Sequence, residues 1–210
     1  MSSMNVAPGI HEVDSVRVAN VYLVTIDDGL LLVDTGMPGN AKRVLRFVER
    51  LGRQPSEIRT IVLTHCDLDH AGSAAELKRR TGARLAVHEL DAAVVAGRQE
   101  PQKGGRVMRA LYRAFRFRPV EPDLLLRDGD TIGGLQVLHV PGHTAGSIAL
   151  RRTDGVVFSG DAVLSDKQGR VLPPDPRLAQ DVAQAQVSAE RIKALGITLL
   201  LSGHGAPAPA

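Results

Sequence analysis

His65, Asp67, Asp69 and His70 occupy one six-residue window, and three later, separate turns supply His143, Asp161 and His204. Imidazole and carboxylate are the ligands that zinc, iron and manganese accept, and a loop this dense in them has few other physical uses. The set is the inventory of a site for two divalent ions, and the chemistry it points to is metal-dependent hydrolysis. Two such ions can share a hydroxide that attacks an electrophilic carbon or phosphorus and can stabilise the resulting oxyanion, with Asp69 orienting the nucleophile or moving its proton. The competing view, a polar loop with coincidental acids, does not account for the three distant glycine-flanked partners.

The elements around these residues place them consistently. Val16 to Ile26 and Leu30 to Val33 read as strands joined by the Asp27-Asp28-Gly29 turn. A helix follows, with Asn40 as N-cap, Val44, Leu45 and Val48 on its apolar face and Gly52 at its end. Ile58 to Leu63 is a buried-strand run leading into the His65–His70 loop, Ala71 to Arg80 is helical and stopped by Gly82, and Arg84 to Val87 is again a strand. Further strands are expected at Leu124 to Leu126, Leu135 to Val140, Ile148 to Leu150, Val156 to Phe158 and Ile197 to Leu201. A last helix is expected to start at Asp175 as cap with Pro176 in its first position and to run to about Leu195, and the tail Ala206 to Ala210 to be frayed. On this map every candidate ligand falls just past the C-terminal end of a strand, where loops on a rigid sheet can converge on one pocket.

Composition bounds the rest. A chain of 210 residues with 43% apolar residues can bury one substantial core, so a single domain over 1–210 is expected, built by aliphatic residues because aromatics are only 3%. One cysteine cannot form an internal disulfide, the N-terminus shows no secretory pattern and no apolar run approaches a membrane span, so a cytoplasmic protein away from membranes is expected. Of the net charge of +3, the segment from Arg98 to Arg118 carries +6, leaving −3 for the remainder. That concentration, with so few stacking aromatics, argues against a nucleic-acid partner. The basic residues lie on an insertion at about 97–122 that reads as an amphipathic helix, with Val107, Leu111 and Phe115 on one face and Arg106, Arg109, Arg113 and Arg116 on the other. Either this is a solvated face, or it is a lid on which Arg109 and Arg113 attract an anionic small-molecule substrate and Tyr112 donates to its oxyanion. His11, His88 and His139 lack motif context and read as surface or satisfied structural residues, and Cys66, alternating with inward neighbours, should point away from the site. The oligomeric state is left open, a homodimer included.

Five separated motifs, agreeing in order and kind, resemble the metallo-β-lactamase superfamily: Asp34-Thr35-Gly36, Thr64-His65-Cys66-Asp67-Leu68-Asp69-His70, Pro141-Gly142-His143-Thr144-Ala145-Gly146-Ser147, Ser159-Gly160-Asp161 and Ser202-Gly203-His204-Gly205. The resemblance implies an α/β fold of four layers, an αββα sandwich of two mixed sheets flanked by helices, with the metals at one rim. It implies that His65, Asp67 and His143 hold one ion, that Asp69, His70 and His204 hold the second, that Asp161 bridges them, and that Asp34 supports the site without touching metal. Asp67 departs from the family, which usually has His there. A carboxylate is harder and adds negative charge, so although zinc is the expected metal, Asp67 leaves iron or manganese open. The implied reaction is hydrolysis of an ester-like bond in a thioester, lactone or related small molecule by a bridging hydroxide. Phosphodiester hydrolysis and non-heme iron redox chemistry on the same ligands are the alternatives. The nuclease, glyoxalase II and flavin-fused diiron branches carry additional domains that this chain is not expected to contain.

Overall fold

The run Leu30-Leu31-Leu32-Val33 is apolar at every position, which a strand tolerates only when both faces are covered. The computed structural model, which describes residues 4–101, 114 and 117–209, shows how that happens. The chain begins as an antiparallel meander of β1 (Met4–Ala7), β2 (Ile10–Glu12), β3 (Tyr22–Ile26) and β4 (Gly29–Val33). Asp27 and Asp28 form the two-residue connection of the β3–β4 hairpin, with Ile26 opposite Gly29. From β4 the sheet turns parallel through β5 (Ile58–Val62), β6 (Arg84–His88) and β7 (Leu124–Leu126), giving seven strands in sequence order. The helices α1 (Ala41–Arg50), α2 (Leu68–Ala71), α3 (Ala74–Thr81) and α4 (Glu89–Val95) fall in the crossovers of this parallel half.

The second sheet holds β8 (Thr131–Ile132), β9 (Leu135–His139), β10 (Ile148–Arg151), β11 (Val156–Gly160), β12 (Leu199–Ser202) and β13 (Ala208–Pro209), in the order β13-β12-β11-β10-β9-β8. Only β11 and β12 run parallel, and the long connection between them contains α5 (Val182–Lys193). Side-chain alternation then sorts the buried residues into three layers. Leu30 and Leu32 pack outward with Phe47 of α1 and Leu77 of α3. Leu31 and Val33 point the other way, against Val137, Leu150 and Phe158 of the second sheet. On the far side Leu138, Ala149, Val157 and Leu200 meet Ala189 and Ile192 of α5. Three apolar layers between four layers of elements are the αββα sandwich, and each fully buried Leu or Phe contributes roughly 1.5–3 kcal/mol to it.

Several boundaries differ from the expectation. The strand expected from Val16 begins at Tyr22, because residues 14–20 form a loop that reaches across to the chain around Gly203, where Asn20 N–H donates to the Gly203 carbonyl at 2.7 Å. The helix expected from Ala71 starts three residues earlier and breaks at Gly72, where Pro38 and the Leu68 carbonyl leave no room for a Cβ. The last helix starts at Val182, not after Asp175. The backbone N–H groups of Gln180 and Asp181 donate to the Gly142 carbonyl at 2.7 and 3.0 Å, holding this stretch out of helical geometry. Asp181 then caps the helix by accepting from Gln184 N–H at 3.0 Å, while Asp175 closes only a local turn with Arg177 and Leu178. The tail is not frayed either: Ala208 is buried and β13 pairs with β12 as an edge strand, where Pro209 costs no ladder bond. Strands β1, β2 and β8 and helix α4 were not anticipated at all, being too short to show a period. Of the basic insertion, Arg106, Arg109, Tyr112, Arg113 and Arg116 lie outside the described residues. Its two ends meet, with Val120 N–H donating to the Val95 carbonyl at 3.0 Å and Arg98 paired with Glu121.

Candidate metal centre

Each of the four ligand-bearing turns starts at the end of a strand, and all four open on the same rim. β5 delivers Thr64 and His65, β9 leads to His143, β11 to Asp161 and β12 to His204. Asp67 takes an extended conformation and its carbonyl accepts the first α2 hydrogen bonds, from His70 and Ala71 N–H. Asp69 and His70 therefore sit in the first turn of α2. Close approach of the turns depends on glycine: a Cβ at Gly203 would overlap Asp161 Oδ1 and lie 2.7 Å from His70 Cε1, and one at Gly160 would lie 2.7 Å from the Thr64 side chain.

The seven predicted side chains are brought together as two adjoining clusters. In the first, His143 Nε2 is 3.1 Å and His65 Nε2 3.8 Å from Asp67 Oδ2. In the second, His204 Nε2 is 3.4 Å from Asp69 Oδ2 and 3.5 Å from His70 Nε2, and His70 Nε2 is 3.9 Å from Asp69 Oδ2. Asp161 stands between them, Oδ1 at 3.3 Å from His70 Nε2 and Oδ2 at 3.3 Å from His204 Nε2 and 3.6 Å from His143 Nε2. Metal–ligand bonds of about 2.0–2.2 Å at tetrahedral angles place ligand atoms roughly 3.3–3.6 Å apart, and these separations scatter around that value. The donors His65, Asp67 and His143, and separately Asp69, His70 and His204, meet the spacing of a metal-binding group, as do His65, His70 and Asp161.

Buried His65 Nε2 has no hydrogen-bond partner, and Asp161 Oδ1 meets only the His70 ring, at 3.3 Å and off hydrogen-bond geometry. Leaving such groups bare costs on the order of 1–3 kcal/mol each, and a cation would satisfy both. The protonation balance says the same thing. Burial disfavours the His70 imidazolium, yet the Asp161 and Asp34 carboxylates outweigh it and hold the ring well above its ordinary pKa. His204 is likewise pushed up to about 10, against burial, by Asp161 and Asp69. Burial should raise Asp161, but His70 and His204 hold it well below the carboxylate range. His65, by contrast, is lowered to about 3 by burial and by the neighbouring His70 and His143. The acids draw positive charge into the centre, and the donor set fits divalent cations.

A second tier of contacts aims the rings. His70 Nδ1–H donates to Asp34 Oδ2 at 2.8 Å, which turns its Nε2 lone pair inward. His204 Nδ1–H donates to the Val18 carbonyl at 2.6 Å with the same effect, and Val18 holds a positive φ of 84° to present it. Asn20 steadies that turn through Nδ2 bonds to the Ser202 and Gly205 carbonyls. Asp34 touches no candidate metal position, in keeping with a supporting role, and its φ of +61° is one that Asp tolerates better than most residues. Behind the first cluster lies Asp91, which sequence reasoning missed; its signal would have been a lone acid in the apolar stretch Leu90-Asp91-Ala92-Ala93-Val94-Val95. Burial pushes its carboxyl up, and bonds from Thr144, Cys66 and Gly146 draw it back. Cys66 points into the outer core of the first sheet, away from the clusters. His88 and His139 stack on each other outside the centre, and His11 packs on Phe47.

The family model for the metallo-beta-lactamase superfamily matches residues 14–204. The chain belongs to that superfamily. It is 26% identical to the probable metallo-hydrolase YflN of Bacillus subtilis, over 96% of this chain and 85% of that protein. It is 30% identical to the acyl-coenzyme A thioesterase MBLAC2 of Bos taurus, over 89% of this chain and 72% of the relative. Among solved structures, the metallo-beta-lactamase family protein TTHA1429 of Thermus thermophilus superposes with a TM-score of 0.77 at 25% identity, covering 97% of this chain and 76% of that one. TTHA1623 in a di-iron-bound form superposes at 0.70 with 28% identity, covering 91% and 89%. Like these members of the superfamily, the chain carries the two-sheet sandwich, and it is a metal-dependent hydrolase of this fold. No helix among the described residues is long and apolar enough to cross a membrane.

Proposed function

We propose that the chain hydrolyses a thioester or related ester-like bond in a small molecule, using two divalent ions held by His65, Asp67 and His143 and by Asp69, His70 and His204, with Asp161 shared. The observation that carries this reading is the pair of clusters joined by both oxygens of Asp161. Bound there, two ions would supply a nucleophilic water at neutral pH and polarise the substrate carbonyl. Asp69 lies at the open side of the centre, a quarter exposed, and its contacts with His204 and His70 outweigh burial to keep it ionised. It is therefore placed to accept the proton released as water attacks and to return it to the leaving sulfur or oxygen. His204, about a third exposed, marks the same open edge as the side from which substrate enters. The thioester is preferred because the MBLAC2 relative is named for thioester hydrolysis and aligns over most of the chain.

Zinc is the metal proposed, with iron or manganese favoured to the extent that Asp67 presents oxygen where imidazole is usual. The likeness to a di-iron-bound relative supports keeping iron in view. The proposed compartment is the cytoplasm, since a single cysteine gives no internal disulfide. The test is elemental analysis of protein purified without added metal, followed by turnover of acyl-CoA and glutathione thioesters, lactones and bis(p-nitrophenyl) phosphate by wild type and His143→Ala. About two ions per chain and thioester or lactone turnover that collapses in the variant are expected. Hydrolysis of the phosphodiester alone, or stoichiometric iron with substrate-dependent oxygen uptake, would overturn the proposal.

A further inference from the structure

We infer that Asp91 is a positioning residue for the first metal cluster: its buried carboxylate clamps the Asp67-bearing and His143-bearing loops to one another, and so sets the separation of their ligands. The inference rests on the two-ion reading above and extends it to a residue that touches no candidate metal position.

Asp91 projects from α4, only 2% exposed, into the gap behind the two loops. Its Oδ2 accepts from the backbone N–H of Cys66 at 2.9 Å and from the Thr144 hydroxyl at 2.8 Å, and its Oδ1 accepts from Gly146 N–H at 2.8 Å. Cys66 is the residue between His65 and Asp67, and Thr144 follows His143 directly. One rigid group thus holds both sides of the first cluster, with the Cys66 and Thr144 attachments one residue from a candidate ligand and the Gly146 attachment three residues beyond His143. The 3.1 Å approach of His143 Nε2 to Asp67 Oδ2 is made by two loops 76 residues apart in the chain, and Asp91 provides side-chain hydrogen bonds to both. The Thr144 hydroxyl also contacts Ser147 Oγ at 2.8 Å, and Ser147 Oγ accepts from Thr144 N–H at 2.9 Å, so the clamp continues into the turn itself.

The steric record agrees. A Cβ on Gly146 would lie 2.6 Å from both Asp91 Cγ and Oδ1, so glycine there is what allows the carboxylate to sit against the turn. Carboxylate chemistry is needed too. All three neighbours donate, and a carboxylate is acceptor-only, whereas an amide in the same place must turn an N–H₂ toward at least one donor. Asparagine at 91 therefore keeps the shape and breaks the clamp. The second cluster has no bond to Asp91: Asp34 and Val18 aim its histidines. Loss of the clamp should therefore be selective for one ion.

The experiment is site-resolved cobalt(II) titration of metal-stripped wild type, Asp91→Asn, Thr144→Val and Thr144→Ser, read by the visible d–d bands and by competition with a chelator. Thermal unfolding and amide exchange are recorded on the stripped proteins. Supporting outcomes for Asp91→Asn are one cobalt bound with near wild-type affinity, the other weakened about 10–100-fold, and faster exchange at Cys66 and Gly146. Thr144→Val should weaken the same ion by less, and Thr144→Ser, which retains the hydroxyl, should restore it. The Thr144 pair keeps the question decidable should Asp91→Asn not fold. Unchanged affinity for both ions, or equal weakening of both in proportion to lost stability, would overturn the clamp while leaving the two-ion reading intact. A wild-type protein that takes up no cobalt would overturn the two-ion reading and the clamp with it.

Discussion

His65 is tied to Asp34 through the hydroxyl of Thr64. His65 Nδ1–H points at Thr64 Oγ1 at 3.0 Å, and that hydroxyl donates onward to Asp34 Oδ2 at 2.8 Å. The same oxygen accepts from His70 Nδ1–H, so one carboxylate fixes the tautomer of a histidine in each cluster. Asp34→Asn tolerates the left-handed backbone, and removing the charge should weaken both ions by about 10–100-fold. Thr64→Val cuts only the His65 branch and should weaken the first ion alone. Chelator competition on both variants checks this, and equal behaviour of the two would refute the branched arrangement.

His143 reaches the centre from a loop, where it is buried with its ring edge-on to His65. His143→Ala should lower kcat/KM by about 100-fold or more. Stability of the metal-free protein should fall by only about 1–3 kcal/mol, the effect of removing one buried ring at the rim while the three apolar layers stay intact. Asp67→His restores an imidazole at that corner and should remain active with its metal preference shifted toward zinc. Metal content after growth in mixed-metal medium measures the shift directly.

The ligands were legible because they come as residue types with no cheap structural alternative, four in one dense window and three beside glycine turns, all past a strand. The apolar runs of β4 and of Val156 to Phe158 in β11 were legible for a related reason, since burial on both faces leaves no polar position to confuse the period. What stayed hidden was set by partners distant in the chain. Asp91 looks like any acid in a short helix until Cys66 and Thr144 are seen to converge on it. The last helix was placed too early because its start is decided by the Gly142 carbonyl, which Pro176 and Asp175 do not reveal. β13 is two residues long and has no pattern of its own; pairing with Leu199 and Leu200 makes it a strand.

Gly203 lies where the two clusters meet. A methyl group there would overlap Asp161 Oδ1 and crowd the His70 ring, and the turn is already pinned by Gly203 N–H donating to the Gly160 carbonyl at 2.8 Å. Gly203→Ala should therefore displace the shared carboxylate and cost one of the two ions and most of the turnover. Melting temperature should fall only modestly, since the apolar layers are untouched. Full metal content in the variant would show that Asp161 does not need this approach.

His88 supplies a pH dependence separate from the metal centre. Its Nδ1 accepts from Leu90 N–H at 3.3 Å to cap α4, and its ring stacks on His139 with centroids 4.1 Å apart. Both arrangements favour a neutral ring. Burial first, then His139 and more weakly Arg127, lower its pKa to about 4, against Glu89 and Asp128, which act to raise it. An unfolded histidine titrates near 6.5, so between about pH 6.5 and 4 the unfolded chain binds a proton that the folded one refuses. The stability that depends on the neutral ring is whole above pH 6.5 and drains away as pH falls to about 4, on the order of 2–3 kcal/mol in all. His88→Asn keeps an acceptor suited to the cap and removes the titration. Chemical denaturation of chelator-treated wild type and His88→Asn from pH 8 to 4 should show the variant gaining on wild type through that window, and a difference that stays constant with pH would refute the assignment.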